Sequence, residues 1–434
     1  MSAGGIHPWQ LHDDARIAVI GGGPAGCFFA LHALSIARQR GLRIQVVIFE
    51  GKDFTQRGPT GCNKCAGILS SRLLRNLHDL QLKLPPHIIM SEIQSYVLHL
   101  EEATVEISRP EPWRRIVSVY RGAGPRLGNL PPAVSFDSWL LDEVQQRGVQ
   151  LTPERVIEVR TAGRPVVVTR NSALTCDLVV LATGVNSRPV QLPDLNYVPP
   201  TTEIMSQDEL LVSGTSSDQR IHIFFGHSVG ALFAGLIPKG RFINVSLLDH
   251  KLKKDNIGPF LEVDEVQAVL ATNPRRLCGC NPRIAVSAAL NFYADRFVAI
   301  GDAAVTRLYK DGIGSAFLTA RQAARTALEV GVSEATFRQE YAPFCQGIDR
   351  DNRIGRVLFT LWNRIQGSRR LSQAWLDVLI AETELIAAEQ YGRRALWSMF
   401  TGDDSYQTIA RHLLSRSVFF GFLVGLLRPG LWSR

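Results

Sequence analysis

Two kinds of residue in this chain are suited to chemistry: a glycine turn shaped to approach phosphate, and cysteines paired at close spacing. Gly21-Gly22-Gly23-Pro24-Ala25-Gly26 directly follows the apolar run Ile17-Ala18-Val19-Ile20. In such a turn Gly21 permits a sharp bend, and Gly23 removes the side chain that would block a pyrophosphate. Gly26 lets the next helix pack close to a sheet. The start of that helix offers free N–H groups and a positive dipole end to an anion. A second apolar run, Ile44 to Phe49, ends in Glu50, where an acid usually holds a ribose hydroxyl pair. The cysteine pairs are Cys62-Asn63-Lys64-Cys65 and Cys278-Gly279-Cys280. Three readings fit them. Cys62, Cys65, Cys278 and Cys280 as thiolates could ligate zinc or an iron–sulfur cluster. One pair could be a redox dithiol, which makes Cys62 and Cys65 candidate catalytic residues. Or they are free thiols packed as small hydrophobes. Cys27, Cys176 and Cys345 read as core residues. The histidines do not cluster in sequence: His222 and His227 bracket an apolar strand and read as packed or surface side chains. No Ser-His-Asp order and no paired-carboxylate site stands out.

These residues need elements to position them. Residues 16–60 read as a β-α-β opening, with the helix running from Cys27 to Arg40. Residues 87–119 alternate as strands do. Phe136-Asp137-Ser138-Trp139-Leu140 opens a helix with Asp137 as its N-cap and Gly148 just past its end. Strands follow at Leu151 to Val159, Val166 to Thr169 and Asp177 to Gly184. Residues 187–285 carry short apolar runs among Pro, Ser and Gly, as a β-rich domain would. Arg296 to Ile300 is a strand that ends in Gly301-Asp302-Ala303-Ala304. Lys310-Asp311-Gly312-Ile313-Gly314 then leads into an Ala-rich helix, Ser315 to Glu329. Beyond residue 331 the chain reads as helical.

The bulk numbers agree with a globular protein of more than one domain. The chain has 434 residues, 45% hydrophobic and 20% charged. A formal charge of +8 is modest for this length, and no basic run with interleaved aromatics or zinc-finger spacing speaks for nucleic acid. The polar N-terminus carries no secretory pattern and seven cysteines is an odd number, so a reducing cytoplasm is the expected compartment. No apolar run reaches the ~20 residues of a membrane span. Residues 418–427 come nearest, with Arg416 and Arg428 at their ends and Trp432 beyond. They either dip into one leaflet as a peripheral membrane contact or cover the protein's own core.

Four segments in order resemble the FAD-dependent oxidoreductases of the geranylgeranyl reductase and para-hydroxybenzoate hydroxylase type. They are the GGGPAG turn with Glu50, the helix start Phe136 to Leu140, the strand Asp177 to Gly184, and the segment Gly301 to Ala316. The resemblance implies an α/β fold: a discontinuous Rossmann-like FAD-binding domain (1–85, 113–186 and 286–330), an inserted β-rich substrate domain (87–112 and 187–285) and a helical C-terminal region (331–434). It places Gly21, Gly23, Pro24, Ala25 and Gly26 at the FAD pyrophosphate and Glu50 at the adenosine ribose. Gly184 passes the adenosine side. Gly301 and Asp302 lie at the ribityl and phosphate region, and Gly312, Ile313 and Gly314 lay backbone against the pyrimidine edge of the flavin ring. The type often has an Arg where this chain has Ala133; Arg121 is the expected substitute. Leu308-Tyr309-Lys310 replaces a usual Pro, and Leu232 to Gly240 lacks the tryptophans that precede Ile-Pro in these reductases. The expected activity is hydride reduction of a C=C bond in an apolar, isoprenoid- or quinone-like substrate. The rivals are a flavin-dependent aromatic monooxygenase and, in another class, a flavin- or metal-bound sensor or assembly protein. One strong glycine turn leaves no separate NADPH domain, so NADPH binding transiently or a ferredoxin is the expected electron donor.

Overall fold

A computed structural model describes residues 9–64, 66–100, 103–128, 133–212, 218–225, 233–248, 256–270 and 274–427. At its centre Ala15–Ile20 pairs in parallel with Ile44–Phe49 on one side and Leu178–Leu181 on the other. Gln150–Thr152 extends the sheet beyond Ile44–Phe49, and Phe297–Ala299 extends it beyond Leu178–Leu181. An antiparallel edge, Tyr293–Ala294, makes six strands. Sheets of this kind are covered on both faces, which explains the unbroken apolar runs. Ile17 and Val19 pack into one core with the helix Pro24–Gln39, while Ala18 and Ile20 pack into a second core on the opposite face. Helix Gly312–Arg325 lies against Pro24–Gln39, with the Phe28 and Phe317 rings edge to face at 5.0 Å.

A separate eight-stranded sheet draws on distant parts of the chain. Arg220–Phe224 runs parallel to Ser95–Leu100, and Thr202–Leu211, Phe242–Leu248 and Phe233–Lys239 follow in antiparallel order. A small sheet of Ile68–Leu69, Ile116–Val119 and Ile89–Ile93 lies beside it, and Ser118 Oγ donates to the Pro238 carbonyl at 2.7 Å. From Glu334 to Leu427 the described chain is mainly helical. The fold class expected from sequence therefore stands: a parallel α/β nucleotide-type sheet, a β-rich second layer and a helical C-terminal region.

Three local expectations need correction. The strand expected over Leu151 to Val159 is two, Gln150–Thr152 and Glu158–Arg160, because Pro153 cannot donate to a ladder. Ser135, not Asp137, caps helix Phe136–Gln146, accepting from the Ser138 N–H at 2.8 Å. The β-rich stretch 187–285 also holds two short helices, Ile257–Leu261 and Asp264–Leu270.

Helix Arg416–Leu427 packs on helix Arg369–Ala381 through its small face. A Cβ on Gly425 would come 2.9 Å from the Ala374 Cα, and Val418 is buried. No described helix is by itself long and apolar enough to cross a membrane; Tyr406–Leu413 and Arg416–Leu427 together reach that length, bent by 56°.

Candidate cofactor and substrate site

The glycine turn is built as its spacing requires. Gly21 has φ +110°, and a Cβ there would lie 2.5 Å from the Ala182 carbonyl oxygen on the neighbouring strand. A Cβ on Gly26 would collide with the Gly21 carbonyl oxygen, so the helix can approach the strand end only with glycine at that position. Gly23 is the N-cap, in extended conformation, and a Cβ there would meet only Asn63 Nδ2, at 3.3 Å. Pro24 stands in the first turn, and no side chain caps it. Its amides are thus presented to an anion in the manner of nucleotide-binding helices.

The second half of the cradle rests on the first. Gly301, at φ +59°, opens a short turn with Asp302, and a Cβ on Gly301 would come 2.9 Å from that of Ala25. Asp302 is half-buried, and desolvation pushes its carboxyl above the usual range. Gly312, Ile313 and Gly314 form the first turn of the helix Gly312–Arg325, which also lacks a side-chain cap. Asp311 precedes it at φ +51° and accepts a hydrogen bond from Ser70 Oγ at 2.8 Å. Burial pushes the Asp311 carboxyl up to about 7. Gly301 thus packs between Ala25 and Ala316, which sets two uncapped helix starts side by side, an arrangement that suits a dinucleotide with a phosphate pair at one end and an electron-rich ring edge at the other.

Glu50 sits at its strand end and accepts one backbone hydrogen bond at each oxygen. Its oxygens accept from the Gly22 N–H at 2.9 Å and the Lys52 N–H at 2.8 Å, and burial raises its pKa against these bonds. Lys52 Nζ in turn donates to the Cys62 carbonyl at 3.0 Å and to Asn63 Oδ1 at 2.9 Å. Gly184, at φ +61°, borders open space at the end of strand Leu178–Leu181.

Arg121 is buried and forms a forked pair with Asp137, Nη2 to Oδ2 at 2.9 Å and Nε to Oδ1. Asn63 Nδ2 donates to the same carboxylate. Asp137 is thus an ion-pair partner rather than a cap. Removing either partner would strand a buried charge, at a cost of about 3–5 kcal/mol.

The structure brings Cys62, Cys278 and Cys280 to the lining of one cavity, open to solvent. Cys65 lies outside the described residues, as do His227, Leu232, Arg428 and Trp432. Among the described residues no three His, Cys, Asp or Glu side chains are grouped to hold a metal ion, so the four-cysteine zinc or cluster site gains no support. Burial raises the thiol pKa of Cys62 and Cys278 and pushes that of Cys280 up to about 12. Neutral thiols are proton donors rather than nucleophiles. Cys27, Cys176 and Cys345 are buried, as core residues should be.

Sequence reading missed the polar floor of the cavity. Asp208 Oδ1 accepts from the backbone N–H of Cys278 at 2.8 Å and of Gly279 at 3.0 Å, and so holds the Cys-Gly-Cys loop in place. Glu209 Oε1 accepts from Lys239 Nζ at 3.2 Å and from Asn244 Nδ2 at 3.0 Å. In the sequence these are scattered polar residues in strands. Lys239, directly after Ile237-Pro238, was the one signal to follow. A histidine pair was also missed: His99 Nε2 and His222 Nδ1 lie 2.9 Å apart across parallel strands, with Asp218 Oδ2 3.2 Å from His222 Nε2.

No family profile and no curated protein sequence matches the chain. Solved structures do. A geranylgeranyl bacteriochlorophyll reductase-like protein from Thermoplasma acidophilum is 14% identical, with a TM-score of 0.64 over 94% of this chain and 99% of its own. A flavoprotein/dehydrogenase from Cytophaga hutchinsonii is 14% identical, with a TM-score of 0.63 over 95% and 99%. A flavin-dependent brominase is 15% identical, with a TM-score of 0.61 over 93% and 98%. The fold is the one these flavoproteins share. It extends from the glycine turn through the C-terminal helices, which close over the loop between Ala304 and Gly312. Asn352 accepts from the Leu308 N–H at 2.9 Å and donates to the Thr306 carbonyl at 2.8 Å, and Arg307 Nη1 donates to the Gly402 carbonyl at 2.6 Å.

Proposed function

We propose that this protein is an FAD-dependent oxidoreductase that reduces a C=C bond in an apolar, isoprenoid- or quinone-like substrate. The observation that carries the reading is the seating of Gly301 on Ala25, which sets two uncapped helix starts side by side. The fold shared with a reductase-like protein and a dehydrogenase supports it. In the bound state FAD would supply hydride chemistry. The chain's residues bind and orient it. The amides after Gly23 take the phosphates, Glu50 the ribose, Asp302 a hydroxyl of the linking chain, and the amides of Gly312 to Gly314 the electron-rich ring edge. Arg121, fixed by Asp137, adds a positive charge near Asp302. Cys62 lines the cavity with its thiol held neutral by burial, so it can deliver a proton to the substrate carbon. NADPH or a ferredoxin is the electron donor in this reading.

A second reading, a flavin-dependent monooxygenase, rests on the likeness to the brominase and to a myxobacterial chondrochloren halogenase (15% identical, TM-score 0.61). Anaerobic reduction with NADPH or reduced ferredoxin, followed by mixing with polyprenyl, quinone and aromatic compounds, separates the two. Reoxidation by an alkene or quinone without oxygen is the expected result. Reoxidation only with oxygen, accelerated by an aromatic compound, would favour the monooxygenase.

A further inference from the structure

Lys310 stands two residues before Gly312, just ahead of the helix start proposed to meet the electron-rich ring edge. Its Nζ lies 4.5 Å from the centre of the Phe233 ring and 5.7 Å from that of Phe400. Phe233 opens the strand Phe233–Lys239 and Phe400 belongs to the helix Tyr391–Thr401, so the cation sits where three parts of the fold meet. Among the described residues its ammonium has no hydrogen-bond or ion-pair partner. The adjacent Asp311 is engaged with Ser70 Oγ instead. Burial, with no charged neighbour to offset it, pushes the Lys310 pKa down to about 8. A lone cation against apolar walls is costly, and aromatic faces offset only part of that cost. Yet the place is not closed. Lys310, Phe233 and Phe400 are each half-buried, and the lysine nitrogen is not one of the enclosed, unpaired polar atoms of the described residues. Behind them the wall is aromatic: Tyr96, itself buried, stacks on Phe400 at 5.4 Å, and the ring of Phe225 lies 6.1 Å from it.

We infer that Lys310 binds a carboxylate carried by the otherwise apolar substrate. The ammonium offers three donors and no acceptor, so its partner must accept hydrogen bonds. A neutral hydroxyl or carbonyl would accept one bond and leave the charge uncompensated. A carboxylate accepts and neutralises it, as buried charges require. A diphosphate would bring more negative charge into this aromatic wall than one lysine offsets. Phe233 and Phe400 then pack against the apolar chain behind the carboxylate. This inference rests on the oxidoreductase reading for the rest of the substrate and narrows it to acids.

Calorimetric titration of the flavin-loaded protein at about pH 7, where the ammonium is charged, with geranic acid, geraniol and geranyl diphosphate tests it. Geranic acid is expected to bind about tenfold tighter than either of the others. Lys310→Met, which keeps the length of the side chain without its charge, should lower the affinity for the acid about tenfold and leave that for geraniol unchanged. Its melting temperature should not fall, because the charge it removes has no partner in the protein. Lys310→Arg, which keeps the charge, should keep the preference for the acid. Should Lys310→Met fail to fold, Lys310→Gln makes the same comparison. Equal affinities for acid and alcohol, tighter binding of the diphosphate, no binding of geranic acid, or an acid preference that survives the loss of the charge would overturn the inference. The oxidoreductase reading fails separately, by the absence of flavin from the purified protein, and the titration can be run in that case too.

Discussion

Asp311 is the residue whose charge is most coupled to folding at the proposed flavin edge. Burial holds its pKa at about 7, against an ordinary aspartate value of 3.8. Between those values the folded chain binds more protons than the unfolded one, so this residue's contribution makes stability fall as pH rises through the window. Asp311→Asn removes that linkage. The variant's melting temperature should gain on the parent's from about pH 4 to about pH 7 and hold its advantage above. A difference that stays flat over the same range would contradict the placement. Legibility at this scale followed locality. Gly21, Gly26 and Glu50 were readable because a glycine turn after one apolar run and an acid after the next form a recurring pattern along the chain. Asp137 was misread because a short acid at a helix start suits a cap as well as an ion pair, and its partner Arg121 is 16 residues away in sequence. Lys239 stood out after Ile237-Pro238, but its pairing with Glu209 was not readable. Their meeting depends on the register of Thr202–Leu211, Phe242–Leu248 and Phe233–Lys239, which no local pattern specifies.

Among the elements, helix Arg416–Leu427 answers a question that periodicity left open. The sequence allowed either an interfacial segment or a cover for the core, and the helix covers the core with one face while leaving an apolar face exposed. Val418 and Gly425 face helix Arg369–Ala381, while Phe419, Phe420, Leu423, Val424 and Leu427 stand exposed, Leu427 by 79%. Arg411 and Arg416 are exposed beside this face. Aromatic and aliphatic side chains with flanking cations suit an anionic lipid surface. We therefore expect the protein to co-sediment with vesicles containing phosphatidylserine. Phe419→Asp with Leu423→Asp should release most of it without lowering the melting temperature, since neither side chain is buried. Equal sedimentation of parent and variant would remove this helix as the contact.

At the scale of the whole molecule, the chain sets side by side two helix starts nearly 300 residues apart. The turn at Gly21 to Gly26 supplies one helix start and Gly312 to Gly314 the other, and the C-terminal helices lock the intervening loop through Asn352 and Arg307. The order of strand, turn and helix was legible because each half carries its own glycine punctuation. The helical clamp was not, because its hydrogen bonds reach back to backbone groups that leave no mark in sequence. The central claim is that these two helix starts hold FAD, and the visible absorption spectrum of the purified, FAD-incubated and desalted protein tests it most directly. A Cβ at Gly23 would meet little protein, so Gly23→Val should fold as the parent does while occupying the phosphate position. The account predicts flavin bands with about one FAD per chain in the parent and none in Gly23→Val at an unchanged melting temperature. A parent that retains no flavin, or a folded Gly23→Val that retains as much as the parent, would contradict it.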